Sequence, residues 1–220
     1  MSDRDSIQAI IWDFGGVFTT SPFEAFNRFE ASRGLPRDFI RTVNSTNPDS
    51  NAWALFERAE IDARGFDRQY LEESTALGHP VRGADILPLL SGEFRPRMVV
   101  ALRECKRHFK VGCITNNMPQ GHGASMAASP ERASHASDIM RYFDAIIESS
   151  KAGVRKPDPR IYLMMCERLG VAPQTCVYID DLGINCKPAA RLGMKAIKVV
   201  SEAQALADLA KITGLDFQRD

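Results

Sequence analysis

Two kinds of apolar pattern alternate along this chain. Short runs at 7–12, 111–114, 145–147, 176–179 and 196–200 are apolar at most positions, as expected of parallel strands covered on both faces. Between and after the later runs, apolar positions recur every three to four residues: Met98, Val99, Leu102, Cys105 and Phe109, then Ile161, Met164, Met165 and Leu169, then Ala203, Leu206, Leu209 and Ala210. That spacing predicts helices with one covered face. Strand and helix in alternation predict an α/β fold with a doubly wound parallel sheet.

Residues 13–110 separate the first run from the second, far more chain than one crossover helix needs. Ser21-Pro22 offers an N-cap followed by proline at the first helical position, and further helical patterns fall near 52–59 and 65–77. Residues 19–90 therefore read as an inserted all-helical subdomain, with 1–18 and 91–220 forming the sheet core. Residues 121–137 are rich in Gly, Ala, Ser and His without a period, and are expected to form an exposed loop with His122 and His135 in solvent.

Charge removes several function classes. The chain has 28 basic and 28 acidic residues, a formal net charge of zero, so neither a nucleic-acid footprint nor a polybasic membrane patch is expected. No apolar run approaches the roughly 20 residues a membrane span requires, and the first residues are polar. The cysteines, Cys105, Cys113, Cys166, Cys176 and Cys186, form no C-x-x-C pair and read as reduced, buried thiols. These features predict a cytoplasmic protein without nucleic-acid or membrane partners; oligomeric state has no signature here.

The chemistry gathers at the ends of the apolar runs. Asp13 opens Asp13-Phe14-Gly15-Gly16-Val17, Thr115-Asn116-Asn117 follows the second run, and Asp180-Asp181 ends the fourth; Lys156-Pro157-Asp158-Pro159 lies between the last two. Singly, each has an ordinary reading as a turn acid, a polar turn or a solvated charge. Together they are placed to converge at the carboxyl ends of parallel strands, where ligands bind in open α/β sheets. Clustered carboxylates suit an oxygen-seeking cation such as Mg²⁺.

In this order the four segments resemble the signature motifs of the haloacid dehalogenase (HAD) superfamily, most of whose members are Mg²⁺-dependent phosphohydrolases. Residues 153–162, 179–194 and 211–215 are similar to the N-terminal phosphatase domain of soluble epoxide hydrolase. The resemblance implies a Rossmann-like core with a helical cap inserted after the first motif. It also implies that Asp13 is a nucleophile forming an aspartyl-phosphate, with Mg²⁺ held by Asp13, the backbone carbonyl of Gly15 and Asp181, supported by Asp180 and Asn185. Thr115, Asn116 and Lys156 would bind and stabilise the transferring phosphoryl group of a small phosphorylated substrate.

Gly15 departs from the pattern, because phosphatases of this family usually carry a second aspartate there as general acid and base. Such assistance is worth about 10²- to 10⁴-fold. Three readings follow: a phosphatase whose acid is replaced or whose leaving groups are good, a protein that binds phosphoesters with little turnover, or a haloacid dehalogenase. The last resembles D-x-Y-G-T at the first motif, and it would leave Asp180-Asp181 without a purpose. Within the helical segment Trp53 and Phe56 are expected in its core, Arg58 on a solvated face and His79 in a turn.

Overall fold

A computed structural model describes residues 7–118 and 129–217. Five parallel strands form one sheet in the order β3-β2-β1-β4-β5: β1 (Ala9–Trp12), β2 (Lys110–Thr115), β3 (Ala145–Glu148), β4 (Cys176–Asp180) and β5 (Lys195–Lys198). Central β1 pairs with β2 through Trp12↔Cys113 and with β4 through Trp12↔Ile179. All four of its residues are buried. The predicted runs and the observed strands differ by a few residues at their ends, where pairing register rather than hydrophobicity sets the limit.

The two faces of the sheet sort by the period of two along each strand. Ile10, Trp12, Val111, Cys113, Val177 and Ile179 pack with α6 (Pro96–His108), α7 (Pro130–Met140) and α11 (Glu202–Thr213). Ala9, Ile11, Ile114, Cys176 and Tyr178 face the other way, onto α9 (Pro159–Leu169) and α10 (Gly183–Arg191), with the short α8 (Ser149–Ala152) following β3. Gly112 is small for a reason: a Cβ there would stand 2.6 Å from the Met165 sulfur of α9. This is the Rossmann-like arrangement expected from the sequence.

Between β1 and α6 lie α1 (Phe23–Arg33), α2 (Phe39–Ser45), α3 (Ala52–Glu57), α4 (Ala63–Ala76) and α5 (Gly83–Ile86). They share a separate apolar cluster built on Phe26, Ile40, Phe56, Phe66, Tyr70 and Ile86. Buried Glu30 of α1 accepts the backbone N–H groups of Asp38 and Ile40 at 2.9 Å each, satisfying donors at the start of α2. The two chain crossings between this unit and the sheet run side by side. Thr19 and Phe94 form an antiparallel bridge, and the Thr20 N–H donates to the Glu93 carbonyl at 2.8 Å.

Two local expectations fail. The first helix starts after Pro22, which itself occupies the capping position without a side-chain cap bond, so Ser21 does not cap it. Residues 121–137 are not one loop: 121–128 and His122 lie outside the described residues, and from Pro130 onward the chain is α7, whose first turn donates the Arg132 N–H to the Ser129 hydroxyl. His135 sits on that helix with its ring 4.3 Å from the Phe94 ring centre.

Candidate active site

Each strand end delivers its group because the ladder carries it there. The Asp13 N–H still donates to Ile179 O at 2.8 Å, so Asp13 leaves β1 beside the end of β4. The chain then closes one helical turn, with the Phe18 N–H donating to Phe14 O at 2.9 Å. Gly16, at φ 73°, takes a left-handed conformation that favours glycine, and a Cβ on it would stand 2.2 Å from the Asp181 carboxyl carbon. Glycine at 16 is therefore what lets the turn after β1 and the end of β4 approach.

Lys156 is the hub. Its ammonium, 1% exposed, lies 2.7 Å from Asp13 Oδ1 and 2.8 Å from Asp180 Oδ2. The Phe14 N–H also donates to Asp13 Oδ1, at 2.7 Å. Asn116, after β2, holds the Lys156 backbone from both sides: its Oδ1 accepts the Lys156 N–H at 2.9 Å and its Nδ2 donates to the Lys156 carbonyl at 3.0 Å. Thr115, buried at the end of β2, lines the same cavity.

Asp180 and Asp181 are adjacent and differently used. Asp180 is wholly buried; Oδ2 accepts from Lys156, from the Tyr178 hydroxyl at 2.5 Å and from Asn185 Nδ2 at 3.1 Å, and Oδ1 accepts the Leu182 N–H at 2.8 Å and the same Asn185 Nδ2 at 3.1 Å. Its lone pairs are taken. Asn185 thus serves Asp180, and its own carbonyl accepts the Tyr162 hydroxyl at 2.8 Å. Asp181 faces Gly16 and lines the cavity.

Burial is the leading influence on Asp13 and Asp181. It pushes Asp13 well above the usual carboxylate range, with the charges of Asp180 and Asp181 adding to it and Lys156 opposing. Asp181 is raised to about 6, by burial first and by Asp180 second, against the neighbouring Ser21 hydroxyl and Lys156. Burial alone would lower Lys156; the attraction of Asp13 and Asp180 overrides it, and the ammonium is held protonated.

Oxygens of Asp13, Asp180 and Asp181 lie within 4.8 Å of one another. Three carboxyl groups face one ammonium and, once ionised, leave negative charge uncompensated; all the donors are hard oxygens, so the residues fit a divalent cation such as Mg²⁺. Because the Asp180 lone pairs are occupied, Asp13 and Asp181 are the side chains open to it.

The cavity above these groups measures about 480 Å³. Phe23, Phe26, Trp53, Leu90, Met118 and Ile184 give it an apolar wall, and Arg41 and Arg155 add charge. Among the described residues, nothing lies within 4 Å of where a Cβ on Gly15 would stand. Of the residues singled out in the helical segment, Phe56 is core and half-buried Trp53 is both core and cavity wall. Arg58 pairs with Glu60, and His79 packs edge-on against Phe39. Sequence reasoning missed Glu57, buried on α3, whose Oε2 lies 2.5 Å from Arg155 Nε and 3.3 Å from Asn116 Nδ2. A lone glutamate on a short helix carries no signal of such a role.

Residues 7–193 match the model of the haloacid dehalogenase-like hydrolase family, to which the chain belongs. It is 36% identical over 224 residues to a bifunctional epoxide hydrolase 2 of Sus scrofa, covering 96% of this chain and 40% of that protein. It is 32% identical over 210 residues to a phosphatase of Mycobacterium tuberculosis, covering 90% of each. The chain spans 19% to 40% of the length of the first curated relatives it matches. A HAD family enzyme of Bacteroides thetaiotaomicron, solved with magnesium and inorganic phosphate, shares the fold at a TM-score of 0.56 and 18% identity, over 87% of this chain and 93% of that one. Among the described residues no helix is long and apolar enough to cross a membrane.

Proposed function

We propose that the protein is a Mg²⁺-dependent phosphatase acting on a small phosphomonoester through an aspartyl-phosphate on Asp13. The observation that carries this reading is the Asp13–Lys156–Asp180 cluster, open to a cavity that Thr115, Asn116 and Asp181 also line. Asp13 Oδ1 is held by Lys156 and the Phe14 N–H, which leaves Oδ2 to attack phosphorus. The phosphorus–oxygen bond to the alcohol breaks as the new bond forms. Water then attacks the same phosphorus, releasing inorganic phosphate and restoring the carboxylate.

Thr115 and Asn116 bind phosphoryl oxygens, and the Lys156 ammonium stabilises the charge on them. Asp13, the Gly15 carbonyl and Asp181 would hold Mg²⁺, which when bound neutralises phosphoryl charge. Asp180, fixed by Lys156, Tyr178 and Asn185, sets the turn that presents Asp181. Residues 19–90 act as the cap over this site, with 1–18 and 91–220 as the catalytic core. Its apolar wall favours esters with an apolar body.

With open space beside Gly15, the leaving oxygen takes its proton from water, so alcohols of low pKa leave fastest. That same space supports a second reading, a phosphoester-binding protein with little turnover. Phosphate release from a panel of aryl, acyl and alkyl phosphates, with and without Mg²⁺, separates the two. Rate falling steeply with leaving-group pKa is expected. Binding of the esters without release of phosphate would establish the second reading.

A further inference from the structure

The buried ion pair between Glu57 and Arg155 has no part in the scheme above, yet it joins the helical unit to the site. Glu57 is the last residue of α3, and its side chain is 8% exposed. Its two carboxylate oxygens face different parts of the molecule. Oε1 accepts the Trp53 indole N–H at 3.0 Å, within α3. Oε2 accepts from Asn116 Nδ2 at 3.3 Å and Arg155 Nε at 2.5 Å, both in the sheet-bearing part of the chain. The Glu57 backbone carbonyl also accepts the Ser149 hydroxyl at 2.7 Å, and that hydroxyl receives the Asn117 N–H at 3.1 Å.

Two of these partners, Asn116 and Arg155, are one step from the reacting groups. Asn116 holds both backbone polar groups of Lys156, Arg155 precedes Lys156, and Lys156 touches Asp13. A buried ion pair contributes little net stability because desolvation offsets its attraction. What it does supply is a fixed direction for each donor.

We propose that Glu57 is a positioning residue: it ties the seating of the helical unit to the placement of Asn116 and Lys156, so that the phosphate cradle is complete only when α3 is docked. The role in turnover rests on the phosphatase reading; the docking role does not. Docking of α3 therefore reaches the nucleophile through two intermediaries, Asn116 and Lys156, from a Glu57 that borders the cavity.

Glu57→Gln isolates this role. A glutamine can keep its oxygen toward Trp53 while its NH₂ faces two donors, Asn116 Nδ2 and Arg155 Nε. Arg155→Met breaks the same pair from the other side and guards against a folding defect in the first variant. With p-nitrophenyl phosphate and Mg²⁺, each variant is expected to lower kcat by about tenfold or more, with a smaller change in KM. The double variant should be no worse than either single one.

Independently of turnover, hydrogen exchange of the Lys156 amide, which donates to Asn116 Oδ1, should quicken at least about tenfold in both variants while amides of β4 keep their protection. Losses that multiply in the double variant, or a Glu57→Gln protein with wild-type kcat and wild-type Lys156 exchange, would overturn the proposal. A wild type that releases no phosphate from any ester, but whose Lys156 amide loses protection in both variants, overturns the phosphatase reading and keeps the docking role.

Discussion

The two sides of Asp13 are built in opposite ways. Toward β4 everything is occupied: Lys156 bridges Asp13 and Asp180, and Tyr178, Leu182 and Asn185 fill the remaining lone pairs of Asp180. Toward the turn after β1 there is open space, since nothing lies within 4 Å of where a Gly15 side chain would begin. The crowded side fixes charge in advance of reaction, which is where most of the stabilisation of phosphoryl transfer is expected. On the open side, no described residue stands where a Gly15 side chain would begin. Charge and proton transfer, often shared by neighbouring carboxylates, are here separable.

Replacing Asp13 with Asn tests the crowded side most severely. Phosphate release should fall by about 10⁴-fold or more, since the proposed covalent bond forms on the Asp13 carboxylate. Turnover near the wild-type rate would remove Asp13 as nucleophile. Lys156→Met attacks the same side through stability. It leaves Asp13 and Asp180 buried without their cation, and should cost about 3 to 5 kcal/mol in urea unfolding at neutral pH. Because burial already raises Asp13, protonation relieves part of this cost, so the deficit should shrink as pH is lowered. A deficit that ignores pH would mean the lysine matters for packing alone.

Gly15→Asp probes the open side. The position is free of steric conflict and its backbone is not left-handed, so the variant should fold. Alkyl phosphate turnover should rise by about 10-fold to 10²-fold, below the full range of acid–base assistance because the rest of the site was not built around the new group. Aryl phosphates should gain less, which flattens the dependence on leaving-group pKa. Equal gains for both classes would mean that the aspartate acts through charge or metal rather than by proton transfer.

The same contrast explains what the sequence made legible. Asp13, Thr115, Asp180 and Asp181 fall at the ends of apolar runs that read as buried parallel strands, and such strands place their ends together. Glu57 is different in kind: Asn116 and Arg155 lie 59 and 98 residues away along the chain, and only the docking of α3 brings them near. Local chemistry was equally ambiguous at helix starts. Ser129-Pro130 opens α7 with a side-chain cap, whereas at Ser21-Pro22 the proline itself takes the capping position and the buried Ser21 hydroxyl finds no hydrogen-bond partner among the described residues. The dipeptide is the same, and its surroundings decide the outcome.

Asp181 provides the subtlest test, because it joins the crowded and open sides through the cation they would share. In the folded protein its carboxyl is raised to about 6 from an ordinary value of 3.8. The folded state therefore holds a proton that the unfolded chain has lost, and the contribution of Asp181 to stability is present below the ordinary value and is lost as pH rises through 6. Mg²⁺ needs the ionised form and competes with that proton. The rise in melting temperature produced by Mg²⁺ should be small at low pH and grow toward neutrality, with apparent affinity gaining at least about tenfold per pH unit below the raised pKa. Asp181→Asn removes the proton and the ligand together: it should be more stable than wild type at neutral pH without Mg²⁺, and nearly indifferent to the ion. A variant that still gains stability from Mg²⁺ with the wild-type pH profile would shift the metal away from Asp181 and toward Asp180, against the full set of donors that Asp180 already receives.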